Sequence, residues 1–310
     1  MCVQYGTSAS SLSKRACSPA SDSETYPSSR TYANVVKMTG LKPATKYFYK
    51  IVSTNSTTHS FTSSRSPGDF TPITMAVTTD LGVYGQDGYT TAMKSLIPRT
   101  APSDNHTTIA RLLNTIDSYD WVIHPGDLAY ADDWYLKPDN LIDGQASYES
   151  ILEQFYAYQF NEISQRKPWM VSPGNHEAAC REVAFFPGTC PPGQENFTDF
   201  MVRFGRNMPT ATPLHSNNQT AIKLRNQAKA LAQPPFWYSY DAGGIHMVFF
   251  NTETDFPNAP DAPGGSQNLY GGPFGSPDQQ LNFLKADLAS VDRNVTPWVI
   301  AAGHRREWFR

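Results

Sequence analysis

Short apolar runs recur along most of this chain, and each is followed by a loop of small, acidic or amide residues. Ile73-Thr74-Met75-Ala76-Val77, Trp121-Val122-Ile123, Trp169-Met170-Val171, Ile245-His246-Met247-Val248-Phe249-Phe250 and Trp298-Val299-Ile300-Ala301 are such runs. Runs this short and this continuously apolar read as strands buried on both faces. Between them lie stretches of helical periodicity, at 106–117, 146–164, 196–204 and 278–290. In the second, Tyr148, Ile151, Leu152, Phe155, Tyr158 and Gln159 fall on one stripe, as a helix lying on a core requires. Ser276-Pro277-Asp278-Gln279 opens the last one, with Pro and Asp placed early. Strands alternating with helices predict an α/β layer architecture, whose functional loops sit at the carboxyl ends of the strands. Residues 205–235 and 254–277 are rich in Asn, Pro and Gly and read as long surface loops.

Residues 1–66 follow a different pattern. They are rich in Ser and Thr, with short alternating runs. Thr31-Tyr32-Ala33-Asn34-Val35-Val36-Lys37-Met38 alternates in places, as a strand with one wet face would. Leu41-Lys42-Pro43 leads through Tyr47-Phe48-Tyr49, which resembles the tyrosine corner of a fibronectin type III sandwich. A full sandwich takes about 100 residues, so this stretch reads as a partial one, the last strands of a truncated domain. Residues 67–72 form the linker by their Pro and Gly content, and 73–310 form the second domain.

The composition narrows the class. The chain has 310 residues, is 39% hydrophobic and carries a net charge of −3, which argues against a partner gripped through a basic surface, nucleic acid above all. No apolar run is long enough to cross a membrane. Four cysteines occur, at 2, 17, 180 and 190; Cys2–Cys17 and Cys180–Cys190 is the simplest of three possible pairings. None has zinc-finger spacing. Five glycosylation sequons begin at Asn55, Asn105, Asn196, Asn218 and Asn294. Together with an even cysteine count they point to a secreted protein. Met1-Cys2-Val3-Gln4 is too polar to be a signal peptide, so an incomplete N-terminus is expected.

The loops after the apolar runs carry the chemistry. Asp80 lies in Asp80-Leu81-Gly82, Asp127 and Tyr130 in Gly126-Asp127-Leu128-Ala129-Tyr130, Asn175 and His176 in Gly174-Asn175-His176-Glu177, and His304 in Ala302-Gly303-His304. Asp80, Asp127 and Tyr130 make a hard, anion-rich ligand set, suited to a trivalent ion that drives off the phenol proton. Asn175 and His304 make a neutral set, suited to a divalent ion, and Asp127 can bridge the two. Neighbours on an extended segment point different ways, so His176 is expected to meet the substrate and to give a proton to the leaving alkoxide.

These four blocks, in this order, resemble the purple acid phosphatases within the metallophosphoesterase superfamily, closest to fungal secreted members. The tyrosine three residues after the aspartate is the discriminating feature. The resemblance implies a four-layer α/β/β/α sandwich, C-terminally incomplete here, behind the partial fibronectin III-like domain. It also implies a dinuclear centre of Fe(III) with Zn, Fe or Mn, and hydrolysis of small phosphate monoesters. The family's last block, Gly-His-x-His, does not occur after His304, and Ala301 stands where the family usually has a branched aliphatic residue. Two alternatives therefore stay open: a phosphodiesterase or nucleotide pyrophosphatase, and an inactive truncated fragment. The loops do not encode a substrate, and the oligomeric state is unreadable.

The remaining titratable residues read as structural. His246 is expected to be a hydrogen-bonded core residue and His124 a strand-packing one, with His59, His106 and His215 solvated. Asp132 and Asp133 read as surface residues or as groups behind the ligands. Glu177 reads either as a partner near His176 or as a solvated loop residue.

Overall fold

The computed structural model describes residues 1–85, 88–89, 107–132, 148–177, 191–211, 216–253, 275–276 and 278–305. The N-terminal part is an antiparallel sheet of β1 (Cys2–Gly6), β2 (Lys14–Cys17), β3 (Lys46–Ile51) and β4 (His59–Thr62), ordered β2-β1-β3-β4. A Cys2–Cys17 disulfide joins β1 to β2, where the two residues are register partners. Tyr47 is 2% exposed, and its phenol oxygen accepts the Lys42 backbone N–H at 2.9 Å, which is the corner expected from the sequence. Residues 31–38 are not a strand; only Ala33 forms a bridge, to Glu24. At its start the chain turns to the second domain instead, where Arg30 pairs with Glu153 and Arg203 donates to Thr31.

Two three-stranded sheets build the rest. β5 (Met75–Val77), β8 (Trp121–Pro125) and β9 (Trp169–Ser172) run parallel in the order β5-β8-β9. A short hairpin of β6 (Tyr84–Gly85) and β7 (Gly88–Tyr89) follows β5. In the other sheet β10 (Tyr238–Ala242) is antiparallel to β11 (Ile245–Phe249), which is parallel to β12 (Trp298–Ala302). The period of two in a strand divides their faces. Trp121, Ile123, Tyr238, Tyr240, Met247 and Phe249 point inward and cluster between the sheets. Val122, Val171 and Val248 belong to the cluster under the helices. The helices are α1 (Thr108–Asn114), α2 (Tyr148–Glu153), α3 (Asn161–Ser164), α4 (Thr198–Phe204), α5 (Gln219–Leu231) and α6 (Gln279–Ser290). The result is two sheets packed face to face with helices outside them, an α/β/β/α layering preceded by the N-terminal sheet.

Two departures from the sequence pattern have physical causes. The 148–164 stripe breaks because residues Gln154–Gln159 form a π-helix. There the Phe160 N–H reaches the Phe155 carbonyl, five residues back, at 2.9 Å. The wider turn shifts the phase, so Phe160 and Ile163 become core while Tyr158 is 73% exposed. The second departure is α5, in a stretch read from the sequence as surface loop. Its buried face is Ala221, Arg225 and Ala228, which lacks the large apolar side chains that signal a helix. Its start is orthodox, since the Asn218 side chain accepts from the Thr220 and Ala221 amides. His246 is buried and hydrogen-bonded as expected, and His124 packs among Phe155, Phe160 and Trp169. His59 is half-buried against the Tyr49 ring rather than solvated.

Candidate metal centre

The loops that leave β5, β8, β9 and β12 at their carboxyl ends meet at one place. Asp80 follows β5, Asp127 and Tyr130 follow β8, Asn175 and His176 follow β9, and His304 follows β12. Ligand-type atoms of Asp80, Asp127 and His304 lie within 4.8 Å of one another. The Tyr130 hydroxyl donates to Asp80 Oδ1 at 2.6 Å. His304 Nε2 lies 3.1 Å from Asp127 Oδ2 and 3.1 Å from Asn175 Oδ1. The structure thus brings together every residue that the sequence singled out for metal binding, with His176 beside them: its Nε2 lies 3.9 Å from Asp127 Oδ2.

Local backbone geometry allows this convergence. Gly126 has φ +90°, and a Cβ there would meet the His304 ring at 2.6 Å and the Gly174 Cα at 2.7 Å. A Cβ on Gly174 would strike the Asp127 carboxylate and backbone N. The two glycines let the loops after β8 and β9 touch beneath His304. Its Nδ1 donates to the Pro125 carbonyl at 3.0 Å, a bond that orients the ring and turns Nε2 into the site.

Two residues behind these donors do more than the sequence suggested. Glu177 accepts the backbone N–H groups of Asp127 at 2.8 Å, Leu128 at 2.8 Å and Gly174 at 2.9 Å. It staples the two loops together and is not a solvated loop residue. Asp132 is buried; its two oxygens lie 2.8 and 3.0 Å from His176 Nδ1. Gln194 ties Asp132 to the His176 carbonyl, with bonds of 3.2 and 3.1 Å. Of the two readings of Asp132, the one that puts it behind the ligands holds, and the surface one does not. Its signal in the sequence was position alone, two residues past Tyr130.

Electrostatics supply a test of fit for a metal pair. Burial pushes the Tyr130 phenol well above its ordinary pKa, and the Asp127 and Asp80 carboxylates push it further. An ionised Tyr130 in this corner therefore requires a strong positive charge beside it. Burial opposes the ionisation of Asp127, but the His304 and His176 rings outweigh it and hold the carboxyl below its usual range. Burial would lower His304; the Asp127 carboxylate reverses this and raises it to about 9. Burial and the Asp127 charge push Glu177 up to about 7, against the Gly174 and Leu128 amides. Hard oxygen donors crowd one side and an amide with an imidazole faces the other. This donor set fits a pair of unlike cations.

Residues 73–309 match the family model of the calcineurin-like phosphoesterases. Residues 2–63 match the N-terminal domain of purple acid phosphatases. The chain belongs to the calcineurin-like phosphoesterase family, in its purple acid phosphatase branch. It is 56% identical over 316 residues to acid phosphatase A of Cryphonectria parasitica, covering 99% of this chain and 62% of that protein. It is 28% identical over 362 residues to an acid phosphatase of Aspergillus ficuum, covering 87% of this chain and 53% of that one. The chain thus spans under two thirds of the length of either relative. A purple acid phosphatase from yellow lupin (Lupinus luteus) seeds aligns structurally with a TM-score of 0.47 at 22% identity, covering 86% of this chain and 37% of that one. The family implies a dinuclear metal centre.

Of the other sequence expectations, Asn55, Asn196, Asn218 and Asn294 are exposed. Asn105, Cys180, Cys190, His106, Asp133 and His215 lie outside the described residues. No helix among the described residues is long and apolar enough to cross a membrane.

Proposed function

We propose that this protein hydrolyses phosphate monoesters in acid at a mixed centre of Fe(III) and a divalent ion, Zn, Fe or Mn. The observation that carries the proposal is the anion-rich corner where the Tyr130 hydroxyl lies 2.6 Å from Asp80, beside Asp127 and His304. Asp80, Asp127 and Tyr130 would hold Fe(III); Asp127, Asn175 and His304 would hold the divalent ion. Bound there, the ions supply Lewis-acid charge to the ester and acidify the attacking water.

The chain's own side chains do the rest. An ionised carboxylate only accepts hydrogen bonds, so the Asp132 contact keeps a proton on His176 Nδ1. This leaves Nε2 as the end that faces the ester. As imidazolium it donates to a phosphoryl oxygen and then gives its proton to the departing alkoxide. Glu177 and Gln194 keep the loops from drifting, so the acid stays in reach of the bond being broken.

The chain divides on this reading into an N-terminal domain at 1–66, a linker at 67–72 and a catalytic domain at 73–310. The two family matches, which leave 64–72 between them, support the division. The sequons and the Cys2–Cys17 disulfide support a secreted glycoprotein, in which Cys180 would pair with Cys190. The test is the visible spectrum of the iron-loaded protein beside that of Tyr130→Phe. Loss of the phenolate charge-transfer band is expected in the variant, and an unchanged band would exclude Tyr130 as a ligand.

A further inference from the structure

The seam between the N-terminal sheet and the catalytic helices holds a triad that the metal chemistry does not use. Tyr26, from the segment after β2, is buried against α2 and α4. Its hydroxyl lies 2.8 Å from Glu149 Oε2 and 2.9 Å from Asp199 Oδ1. Both carboxyls are buried. Gly193 makes the approach possible, since a Cβ there would meet the Tyr26 hydroxyl at 2.8 Å.

A phenol has one proton to donate, and two ionised carboxylates can only accept. One of the two short contacts therefore lacks a hydrogen unless a further proton is present. The surrounding groups say where it sits. Asp199 accepts from Arg203 Nε at 2.7 Å, so it is the charged partner. Glu149 is bonded to no cation among the described residues; its Oε1 accepts from the Ser28 hydroxyl at 2.7 Å. We propose that Glu149 is a buried proton-binding site that latches the N-terminal sheet to the catalytic domain in acid. Its Oε2–H donates to Tyr26, whose O–H donates to Asp199, which stays ionised against Arg203.

The other charged and titratable groups around the triad have roles of their own. Arg203 also lies over the Tyr156 ring, 4.3 Å from its centroid. Arg30 is paired with Glu153, and Arg206 with Asp22 and Glu24. Tyr148 lies beside Gly193 and stays neutral, because burial and the charges of Asp199 and Asp132 raise its phenol. Burial raises the Glu149 carboxyl above its usual value, outweighing its bonds from Ser28 and Tyr26. Burial also raises Asp199, which Arg203 opposes.

The sign of the pH effect follows. A carboxyl whose folded pKa is raised binds its proton more tightly in the folded state. Its contribution is full below the unfolded value and is lost as pH rises through the folded one. The test compares the full chain with Glu149→Gln, whose amide keeps a donor facing Tyr26. Urea unfolding is measured from pH 4.5 to 7.5. The wild-type unfolding equilibrium constant should rise more steeply than the variant's, by up to about tenfold per pH unit within the window, one proton's worth. Equal slopes would overturn the proposal. Infrared spectra of the folded proteins at pH 5 give a second reading that does not depend on unfolding. The wild-type spectrum minus that of Glu149→Gln should show a carboxylic acid carbonyl band that fades as pH rises, since Glu177, raised to about 7, contributes equally to both proteins. A difference spectrum without such a band would overturn the proposal, as would a wild-type spectrum at pH 5 with no carboxylic acid band at all, whether or not the variant folds.

Discussion

Replacing Arg225 with Met should cost more stability than almost any other single change in the catalytic domain. The side chain projects from α5 into a buried cluster on the outer face of the β10–β11–β12 sheet. Its NH2 group lies 3.5 Å from Asp241 Oδ2 and its NH1 group 3.6 Å from Asp287 Oδ1, and Nε donates to the Ser290 hydroxyl at 2.9 Å. Between the same two carboxylates sits His246, with Nδ1 2.6 Å from Asp241 and Nε2 2.8 Å from Asp287. Two carboxylates accept from both ring nitrogens, so the ring is an imidazolium. Two positive charges then balance two negative ones. At an effective dielectric of about 20, each arginine–carboxylate pair attracts by roughly 5 kcal/mol. The cost of desolvating the ions cancels much of that in the intact cluster. Without the guanidinium, one buried carboxylate has no counter-charge, and the loss should be about 3–5 kcal/mol, roughly two to four powers of ten in the unfolding equilibrium. Urea unfolding followed by tryptophan fluorescence measures it, with exposed Lys229→Met on the same helix as a control expected to fall within about 0.5 kcal/mol of wild type. Adding Asp287→Asn to Arg225→Met restores the charge balance and should recover part of the loss. A cost below about 1 kcal/mol for Arg225→Met would show that the cluster is not the charge-balanced anchor described.

Four further outcomes follow. His246 is lowered by burial but raised more strongly by its bonds to Asp241 and Asp287, ending above its ordinary value; its contribution is therefore full below about pH 6.5 and lost as pH rises through the folded value, so His246→Asn should flatten the alkaline fall in stability seen in urea titrations of the wild type. Gly126→Ala must place a Cβ against the His304 ring at a φ of +90°, and titration calorimetry should find metal binding weakened even where circular dichroism shows the fold retained. Cys2→Ser with Cys17→Ser opens a loop with a sequence separation of 15, which should cost about 3 kcal/mol, read as a lower thermal midpoint for the N-terminal sheet. Asp132→Asn should lower kcat while leaving KM nearly unchanged, with a fall bounded by the ~10²–10⁴-fold that a general acid supplies; a change confined to KM would assign His176 to binding alone.

The legible parts of this molecule were those in which one residue type answers to one physical demand. The strand at Trp121 announced itself because a strand covered on both faces needs an unbroken apolar run, whereas the equally apolar run at Trp298 forms an edge strand with Trp298 exposed. Tyr47 declared its corner because a buried phenol needs a backbone partner. The proposed ligands were legible because metal donors follow strand ends. The illegible parts were those in which several demands compete. Helix α5 hides its buried face because Arg225 occupies the place where a large apolar residue would signal a core. Residues 31–38 alternate like a strand, yet Arg30 and Thr31 at their start bind the other domain instead. Tyr158 misses the core because a π-helical turn shifts the helix phase. Glu177 and Asp132 were underrated because an acid that accepts backbone amides, or orients a histidine, looks in sequence like any surface acid.

The donors of the site are also among its most strained residues. Asp80, Asp127 and Tyr130 have φ of +55°, +53° and +51°. Aspartate tolerates the left-handed region because its short side chain can bond locally, and Asp80 does so through the Thr79 hydroxyl at 2.8 Å. Tyrosine has no such relief, and a bulky residue held there costs about 1–3 kcal/mol. Three such residues crowded together must be held by something outside themselves. The Glu177 carboxyl does this by accepting from three backbone amides, each bond contributing roughly 0.5–1.5 kcal/mol and more once the group ionises. Those bonds are of the right size to offset the strain, and they act on the backbone of Asp127 itself. Strain at the proposed ligands and the staple beneath them are therefore two halves of one device. It fixes the Asp127 carboxylate, the proposed bridge, in place without a cation, so less ordering would remain to be done on binding.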